Sequence, residues 1–448
     1  MSDPNIVSLV HLGCARNLID SELILGRLSE EGLVVSGELE GAGTVVINTC
    51  SFIGPARIES EAAITEQLER KAKGEIERVV VAGCLVQRYR RDLVESFPGV
   101  DLFAEISDYR RLASAIADMA GGRAAPAYLE AGGLRAPERD AARLLSTPRS
   151  YAYLRISHGC DHECSFCTIP SIRGPHRSKR LVDLLSEAEE LVSAGVRELV
   201  LVAEDSTAWG RDMGLELPQL VEALAEVEGI ARVRIMYAYP NRFPWELTAL
   251  LSEHPKVATY LDIPIQHAAT RVLRAMRRAG SGEVVKRTLA RLLEEVPGIT
   301  IRTTLLMGFP GETEADVEET IDLVREYRLS RVGAFTFSLE EGTHAAGLEG
   351  RVPTEVAEER HAAVLEARDS VLEEVQRGRI GQRFEVIVDE GSERTGTAVA
   401  RAEWDAPEVD LLARVEAEGL SAGDIIQVEA VGIDEHCDHV CRLVGDSA

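Results

Sequence analysis

Six short apolar runs alternate with longer helical stretches between residues 151 and 336, and this alternation constrains the fold more than any other feature. The runs are rich in Val, Ile and Leu, and they read YAYLRIS, ELVLVA, RVRIMY, TYLDIPI, ITIRTTLLM and RVGAFTF. Between them, apolar residues recur at helical spacing, as at Val317, Ile321 and Val324. Six strand–helix pairs in a row predict an α/β fold with a partial parallel barrel.

Three other regions have different patterns. Residues 1–120 contain IVSLVHL, TVVINT and RVVVAG, each followed by a helical stretch, which predicts an N-terminal α/β domain with a parallel sheet. Residues 121–150 carry glycine pairs and prolines and are predicted to be a linker. The barrel domain then covers 151–377, ending in a charged helix. Residues 378–448 contain five short strands, which predict a small antiparallel β-barrel.

Three of the eight cysteines form a CxxxCxxC motif directly after the first barrel strand, at Cys160, Cys164 and Cys167. Active sites of parallel barrels lie at the carboxyl ends of their strands. Three thiolates can hold three irons of a four-iron cluster and leave the fourth iron open to a small ligand. A structural zinc site is the alternative, and its fourth ligand would come from His158, His162 or His176.

Three more cysteines end the three apolar runs of the N-terminal domain, at Cys14, Cys50 and Cys84. The carboxyl ends of parallel strands meet at one edge of a sheet, so these positions are expected to converge and form a second three-thiolate cluster site. The alternative is that they are buried cysteines that act as small hydrophobic residues. Cys437 and Cys441, with His436 and His439, resemble a small metal site, but we interpret them as incidental because four ligands on one short strand or turn cannot easily converge.

Several motifs carry a family resemblance: GCARNLIDSE, INTCSFI, GCLVQRY, GCDHECSFCTIPSIRGPHRS, YLDIPIQH and RTTLLMGFPGET. On these motifs the chain resembles the radical S-adenosylmethionine methylthiotransferases nearly from end to end. Its C-terminal unit is similar to a TRAM domain. The combination of CxxxCxxC with three spaced cysteines is the specific part of the resemblance, whereas GFPGET alone would be typical of any turn.

The resemblance implies two [4Fe-4S] clusters. The cluster on Cys160, Cys164 and Cys167 would bind S-adenosylmethionine and cleave it to methionine and a 5′-deoxyadenosyl radical. The cluster on Cys14, Cys50 and Cys84 would deliver sulfur, and a second S-adenosylmethionine would supply the methyl group. An electron donor such as flavodoxin or ferredoxin and a sulfur donor are the implied partners. The implied cofactor-binding residues are Phe166, Glu204, Gln266, Thr303 and Gly308.

Some of these assignments have alternatives. Family members usually carry glutamine where this chain has Glu204, which would make that contact with the cofactor acidic. Gln266, His267, Thr303 and the turn 308–312 are equally consistent with barrel packing or turn structure.

The charge of the chain bears on its substrate. The whole chain has a net charge of −26, and residues 379–448 contain six arginines against sixteen acidic residues, a net charge of −10. A TRAM unit that grips tRNA should be basic, whereas an acidic one suits a basic protein. GCLVQRY, IPSIRGPHRS and WDAPEVD are similar to the branch that β-methylthiolates an aspartate of ribosomal protein S12. The alternatives are a tRNA adenosine methylthiotransferase and a non-catalytic zinc-bound interaction protein.

The sequence contains no run of about 18 apolar residues and no basic, apolar leader at its start. We therefore expect a cytoplasmic protein without a membrane partner, whose cysteines are kept reduced.

Overall fold

The computed structural model describes residues 3–107, 109–131, 139–278, 280–393 and 396–444. Residues 132–138 of the predicted linker and Thr395, at the start of one predicted strand, lie outside these ranges. Within them, no helix is long and apolar enough to cross a membrane. The predicted succession of a parallel sheet, a partial barrel and a small β-barrel is confirmed.

The N-terminal domain is a six-stranded parallel sheet flanked by helices. Its strands are β1 (Asp3–His11), β2 (Val34–Ser36), β3 (Ala42–Thr49), β4 (Arg78–Gly83), β5 (Leu102–Ala104) and β6 (Tyr128–Leu129). Its helices are α1 (Ala15–Glu30), α2 (Gly54–Ala72), α3 (Cys84–Tyr89), α4 (Asp92–Ser96) and α5 (Arg110–Ala120). The strands lie in the order β2-β1-β3-β4-β5-β6, so the three strands that end in cysteines are neighbours.

Sequence periodicity predicts only three of these six strands, namely β1, β3 and β4. Both inner strands β3 and β4 are almost entirely buried, as their Val-rich runs predict for a sheet covered on both faces. The other three strands have two or three residues each, too few to show a period. Strand β6 comes from the segment predicted to be a linker and pairs with β5 in parallel.

The central domain is an open barrel of six parallel strands. Its barrel strands are β7 (Tyr151–Arg155), β10 (Glu198–Val202), β11 (Arg232–Ile235), β12 (Val257–Asp262), β13 (Thr300–Met307) and β14 (Arg331–Thr336). A separate two-stranded ribbon consists of β8 (Ser157–His158) and β9 (Arg177–Ser178). Its helices are α6 (Ile169–Arg173), α7 (Leu181–Ser193), α8 (Leu217–Ala225), α9 (Leu247–Glu253), α10 (Thr270–Ala275), α11 (Gly282–Glu295), α12 (Glu314–Glu326) and α13 (Thr354–Arg377). The barrel strands lie in the order β14-β13-β12-β11-β10-β7.

The C-terminal domain is a closed five-stranded barrel. Its strands are β15 (Arg383–Glu390), β16 (Thr397–Ala402), β17 (Ala413–Glu416), β18 (Ile425–Ile433) and β19 (His439–Leu443), which close in the order β15-β16-β17-β19-β18. The prediction of a purely antiparallel barrel needs one correction, because β17 and β19 pair in parallel. Strand β18 comes between β17 and β19 in the sequence, but in the barrel it lies on the other side of β19, so β17 and β19 are direct neighbours.

The two faces of the central sheet pack against different partners. Ala152 and Leu154 of β7 belong to the core between the sheet and its own helices. Tyr151 and Tyr153 alternate with them on the same strand and point to the inner face of the barrel. There they share one apolar cluster with Ile19 of α1, so the N-terminal domain packs over the inside of the barrel.

Candidate active site

The central triad consists of Cys160, Cys164 and Cys167, which lie in the loop between β8 and α6 and are all partly exposed. Gly159 begins this loop with φ 74°, and a Cβ there would lie 2.2 Å from the carbonyl oxygen of Pro175. Glycine is therefore required where the loop crosses the chain that returns to β9.

Short bonds fix this loop within itself and against the barrel. The Cys167 amide donates to the Cys164 carbonyl at 3.1 Å, and the Ser165 hydroxyl donates to the Ala275 carbonyl at 2.8 Å. These contacts hold three thiols on one short loop at the carboxyl end of β7. The CxxxCxxC spacing thus brings its cysteines together through local structure.

The thiols of the central triad are electrostatically coupled. Burial, with the neighbouring cysteines adding to it, raises the pKa of Cys160 to about 12 and that of Cys167 to about 11. The Arg278 guanidinium lies 3.6 Å from the Cys164 sulfur and places a positive charge beside the triad. Three thiolates gathered here need more positive charge than one arginine provides, which is the requirement that a bound iron cluster meets.

The N-terminal triad consists of Cys14, Cys50 and Cys84, which stand at the carboxyl ends of the adjacent strands β1, β3 and β4. Gly13 has φ 104°, and a Cβ on it would lie 2.8 Å from the Cβ of Cys50. The chain before Cys14 therefore passes directly against Cys50. Each of these thiols influences the charge of the others, so the structure brings together three residues that are 34 to 36 positions apart.

Arg173, from α6 of the barrel domain, supplies positive charge to the N-terminal triad. Its Nη2 donates to the Cys84 sulfur at 3.3 Å, while its Nη1 donates to Asp20 at 2.7 Å. Burial nevertheless raises the pKa of Cys84, and it raises that of Cys50 to about 11. Burial acts in the same direction on Cys14, but the charges of Arg16 and Arg173 and the backbone amide of Asn17 together outweigh it, and the pKa of Cys14 is lowered.

Arg16 lies between the two triads. Its charge acts on Cys14, and its Nη1 donates to the carbonyl oxygen of Ala203, the residue after β10, at 3.1 Å. The guanidinium also lies 3.7 Å from a carboxylate oxygen of Glu204 and 5.1 Å from the ring centre of Tyr237. Its charge also opposes the rise in the pKa of Cys167 that burial causes. One partly buried cation thus acts on a cysteine of each triad.

Glu204 is a strong candidate for a ligand contact. Its side chain is 4% exposed and is paired with Arg16 through Oε1. The other oxygen, Oε2, is buried without a hydrogen-bond partner among the described residues. A buried acceptor of this kind is costly unless a donor approaches it, and the amino group of S-adenosylmethionine is such a donor.

The other predicted cofactor residues have different surroundings. Phe166 packs edge-on against Phe309, with ring centres 6.5 Å apart. Gln266 has φ 74° and is half-buried, and its backbone bridges to β13. Gly308 has φ 78° and donates its amide to Glu312, and a Cβ on it would lie 2.4 Å from the Cβ of Ala357.

Thr303 makes its hydrogen bonds within the barrel. It is fully buried, and its hydroxyl donates to the Ile263 carbonyl at 2.9 Å and accepts from the Ile265 amide at 3.1 Å. The hydroxyl therefore stabilises the chain after β12. His267 is equally internal, with Nε2 3.4 Å from the carboxylate of Glu312.

The histidines near the central triad have other partners. His162 lies 2.6 Å from a carboxylate oxygen of Asp205 and stacks on Tyr239 with ring centres 3.8 Å apart. His176 bonds the hydroxyl of Ser178. Among the described residues, no group of three or more His, Cys, Asp or Glu side chains surrounds a single metal-ion position.

The cysteines near the C-terminus have structural surroundings. Cys441 is buried in the core of the small barrel. His439 accepts a hydrogen bond from Gln376 at 3.1 Å, and His436 is exposed. Their arrangement agrees with the interpretation of these cysteines as incidental.

Sequence reasoning missed the arginines that serve the triads. Arg16 follows Cys14 by two residues and Arg173 follows Cys167 by six, so a search for cations near the cysteines finds both. Arg278 lies 114 residues from Cys164, and its role needs the folded barrel.

The chain matches three family models. They are the Radical SAM superfamily over residues 154–324, the Uncharacterized protein family UPF0004 over 7–105 and the TRAM domain over 380–438. The second match covers all three cysteines of the N-terminal triad, and the first covers the central triad.

Full-length relatives carry one name. The chain is 41% identical to the ribosomal protein uS12 methylthiotransferase RimO of Trichlorobacter lovleyi, with 98% of each chain covered. It is 36% identical to the protein of the same name from Acetivibrio thermocellus, with 99% of each covered. Among solved structures, the radical S-adenosylmethionine methyltransferase TsrM of Kitasatospora setae has a similar fold, with a TM-score of 0.53, 18% identity and 75% of each chain covered.

Proposed function

The chain belongs to the family of ribosomal protein uS12 methylthiotransferases called RimO, and from this premise we propose that it β-methylthiolates an aspartate of uS12. Membership of the radical SAM superfamily implies one four-iron cluster and S-adenosylmethionine as cofactors. The observation that carries the proposal is the presence of two three-cysteine sites at facing strand ends, with Arg16 in contact with both domains.

Cys160, Cys164 and Cys167 would hold the cluster that supplies the electron for cleavage of S-adenosylmethionine. The loop contacts of Ser165 keep the three thiols fixed against the barrel. The unpartnered oxygen of Glu204 would accept a hydrogen bond from the amino group of the bound cofactor. Phe166, Gln266 and the turn at Gly308 would line the same cavity, whereas Thr303 would act only by holding the strand end.

Cys14, Cys50 and Cys84 would hold a second four-iron cluster, which supplies sulfur. The arrangement supports this because three thiols at one sheet edge, two of them buried, receive charge from two arginines, Arg16 and Arg173. The barrel and the N-terminal domain share an apolar cluster, which holds the two sites on neighbouring parts of the molecule.

The acidic C-terminal domain supports a basic protein substrate over tRNA. A reductant protein such as flavodoxin or ferredoxin and a separate sulfur donor complete the proposed set of partners.

The test is incubation of the reconstituted protein, under anaerobic conditions, with S-adenosylmethionine, a reductant and either uS12 or tRNA. We expect a methylthio group on one aspartate of uS12, measured by mass spectrometry, and unmodified tRNA. Modification of tRNA without modification of uS12 would contradict the proposal and support the tRNA adenosine methylthiotransferase. A protein that takes up zinc but no iron would contradict both enzymes.

A further inference from the structure

One loop of the C-terminal domain leaves its own barrel and enters the central one. This plug loop, residues 403–412, connects β16 to β17 and has the sequence EWDAPEVDLL, with four carboxylates. It meets the central sheet where most of its strands begin, at the end opposite the central triad. Glu198, Arg232 and Arg331 are the first residues of their strands and all lie at this end.

The plug loop, together with Arg401 just before it, contacts every strand of the central barrel. Glu408 accepts from the hydroxyls of Tyr151 and Tyr153 on β7. The further contacts, in strand order, are Arg401 with Glu198 on β10, the Glu403 carbonyl with Arg234 on β11, Asp410 with Tyr260 on β12, Asp410 with Arg302 on β13, and Asp405 with Arg331 on β14.

These ionic contacts are shielded from water. The side chains of Asp405 and Asp410 are each 2% exposed, and Arg401 and Glu198 are 1% and 0% exposed. Removing one partner of a buried ion pair leaves an uncompensated charge, which is strongly destabilising. Part of the acidity of the C-terminal domain therefore lies inside the molecule and is unavailable to a docking partner.

Apolar packing at the plug loop joins all three domains. Ala406 is 1% exposed and belongs to the cluster formed by Tyr153 and Val200 of the barrel with Val7 and Ile19 of the N-terminal domain. A change in the plug loop can therefore displace residues of both the barrel and the N-terminal domain.

A chain of contacts leads from the plug loop to the triads. Arg302 lies 3.5 Å from Asp410 and donates to Asp262 at 3.1 Å. Asp262 accepts from the backbone amide of Tyr237 at 2.9 Å, and the Tyr237 ring lies beneath Arg16. Arg16, which acts on both triads, thus lies over the ring of Tyr237. The backbone of Tyr237 is in turn connected to the plug loop through Asp262 and Arg302.

We infer that the plug loop forms the floor of the catalytic barrel, and that Asp405 and Asp410 are positioning residues for the radical chemistry in addition to any docking role of the C-terminal domain. This inference rests on the proposed function, because it assigns the loop a part in cleavage of S-adenosylmethionine. A module that only recruits uS12 would influence the encounter with substrate and leave cleavage without substrate unchanged.

The test compares carboxylate-to-amide changes at two places in the full-length protein. Asp405→Asn and Asp410→Asn change the plug loop, and the double variant Glu416→Gln/Glu418→Gln changes two exposed carboxylates of the same domain as a matched control. The first measurement is reductive cleavage of S-adenosylmethionine without uS12. We expect a loss of roughly tenfold in each plug variant, because small displacements of reacting groups are costly, and no change in the control.

The second measurement is thermal unfolding of the metal-free protein, which needs neither cluster nor substrate. We expect the plug variants to melt roughly 5–10 °C lower, as loss of a buried ion pair predicts. If Asp410→Asn cannot be obtained folded, Tyr260→Phe removes only the hydroxyl that lies 2.6 Å from Asp410, and it should change both quantities in the same direction but less.

Wild-type cleavage and wild-type melting in the plug variants, with only the KM for uS12 raised, would overturn the inference. Tyr260→Phe behaving like the wild type in both measurements would count against it equally. Failure of the wild type to cleave S-adenosylmethionine would contradict the proposed function instead, and the melting comparison would still decide the role of the plug loop.

Discussion

The central triad and the N-terminal triad both present three thiols at the carboxyl ends of parallel strands, but their ligands come from very different lengths of chain. The central cysteines lie within eight residues on one loop and are all partly exposed. The N-terminal cysteines are spread over 71 residues and three strands, and Cys50 and Cys84 are buried. The first site is therefore encoded locally, whereas the second exists only when β1, β3 and β4 are paired.

The largest expected effect comes from removing each triad in turn. In Cys160→Ala/Cys164→Ala/Cys167→Ala, we expect no cleavage of S-adenosylmethionine and a loss of about four of about eight irons. In Cys14→Ala/Cys50→Ala/Cys84→Ala, we expect the same loss of iron but retained cleavage and no methylthiolated uS12. Iron analysis and product analysis after anaerobic reconstitution measure both.

Cys437→Ala is the control for these variants, since this cysteine is partly exposed and belongs to neither triad. It should keep all of its iron. If the N-terminal triple variant lost every iron, or kept every iron, the two triads would not be separate cluster sites.

The next largest effect comes from replacing, one at a time, the arginines that lie beside the triads. Arg173→Gln removes the donor to Cys84 and breaks a buried pair with Asp20, at a cost of about 3 kcal/mol in the free energy of unfolding. We expect it to lower only the iron of the N-terminal triad. Arg278→Gln removes the cation beside Cys164 and should lower only the iron of the central triad. Equal losses from both sites in either variant would show that the arginines act on the fold as a whole.

The same contrast explains what could be predicted from the sequence. CxxxCxxC was recognisable from its spacing alone, and the central strands were recognisable from short apolar runs that alternate with helical stretches. Hydrophobic periodicity predicted the strands β1, β3 and β4. The N-terminal triad required the further assumption that these three strands lie side by side.

Contacts between domains could not be predicted in this way. Arg173 belongs to the barrel domain but serves Cys84, 89 residues away. The plug loop carries WDAPEVD, which was noticed only as a family resemblance. Its carboxylates pair with arginines that are distant in sequence, and no local pattern identifies such partners. The hydrogen bonds of Thr303 to the chain after β12 could not be predicted for a related reason, since they depend on how β12 and β13 pair.

The two triads can be compared only in a pH range where the stability of the fold does not depend on pH. His439 sets the lower limit of that range. Burial, together with the charges of Arg379 and Arg331, lowers the pKa of His439 to about 4 from 6.5. Because the folded state binds this proton more weakly than the unfolded state, stability is complete above pH 6.5 and falls as the pH approaches 4.

The expected fall is at most about 3 kcal/mol in the free energy of unfolding. Urea unfolding between pH 7 and pH 4 measures it. His439→Gln should remove this part of the slope, and a variant with the wild-type slope would show that other groups cause it. The triads should therefore be compared above pH 6.5.

The smallest expected effect concerns Arg16 and Glu204, the pair that joins the two sites. Arg16→Gln leaves the Glu204 carboxylate buried without its cation. Glu204→Gln removes that charge and leaves a neutral amide of the same size beside Arg16. We therefore expect Arg16→Gln to be the more harmful single change, and Glu204→Gln to restore part of what it loses.

A double-mutant cycle measures this coupling through the free energy of unfolding and the iron retained. A favourable coupling of about 1 kcal/mol is expected for two charges in contact at this depth. Strict additivity would mean that the two side chains act independently. Suppression of Arg16→Gln by Glu204→Gln would instead show that the acidic residue in place of the usual glutamine is tolerated because a cation from the other domain balances it. The two triads would then share one electrostatic environment, although one lies on a single loop and the other is assembled from three strands.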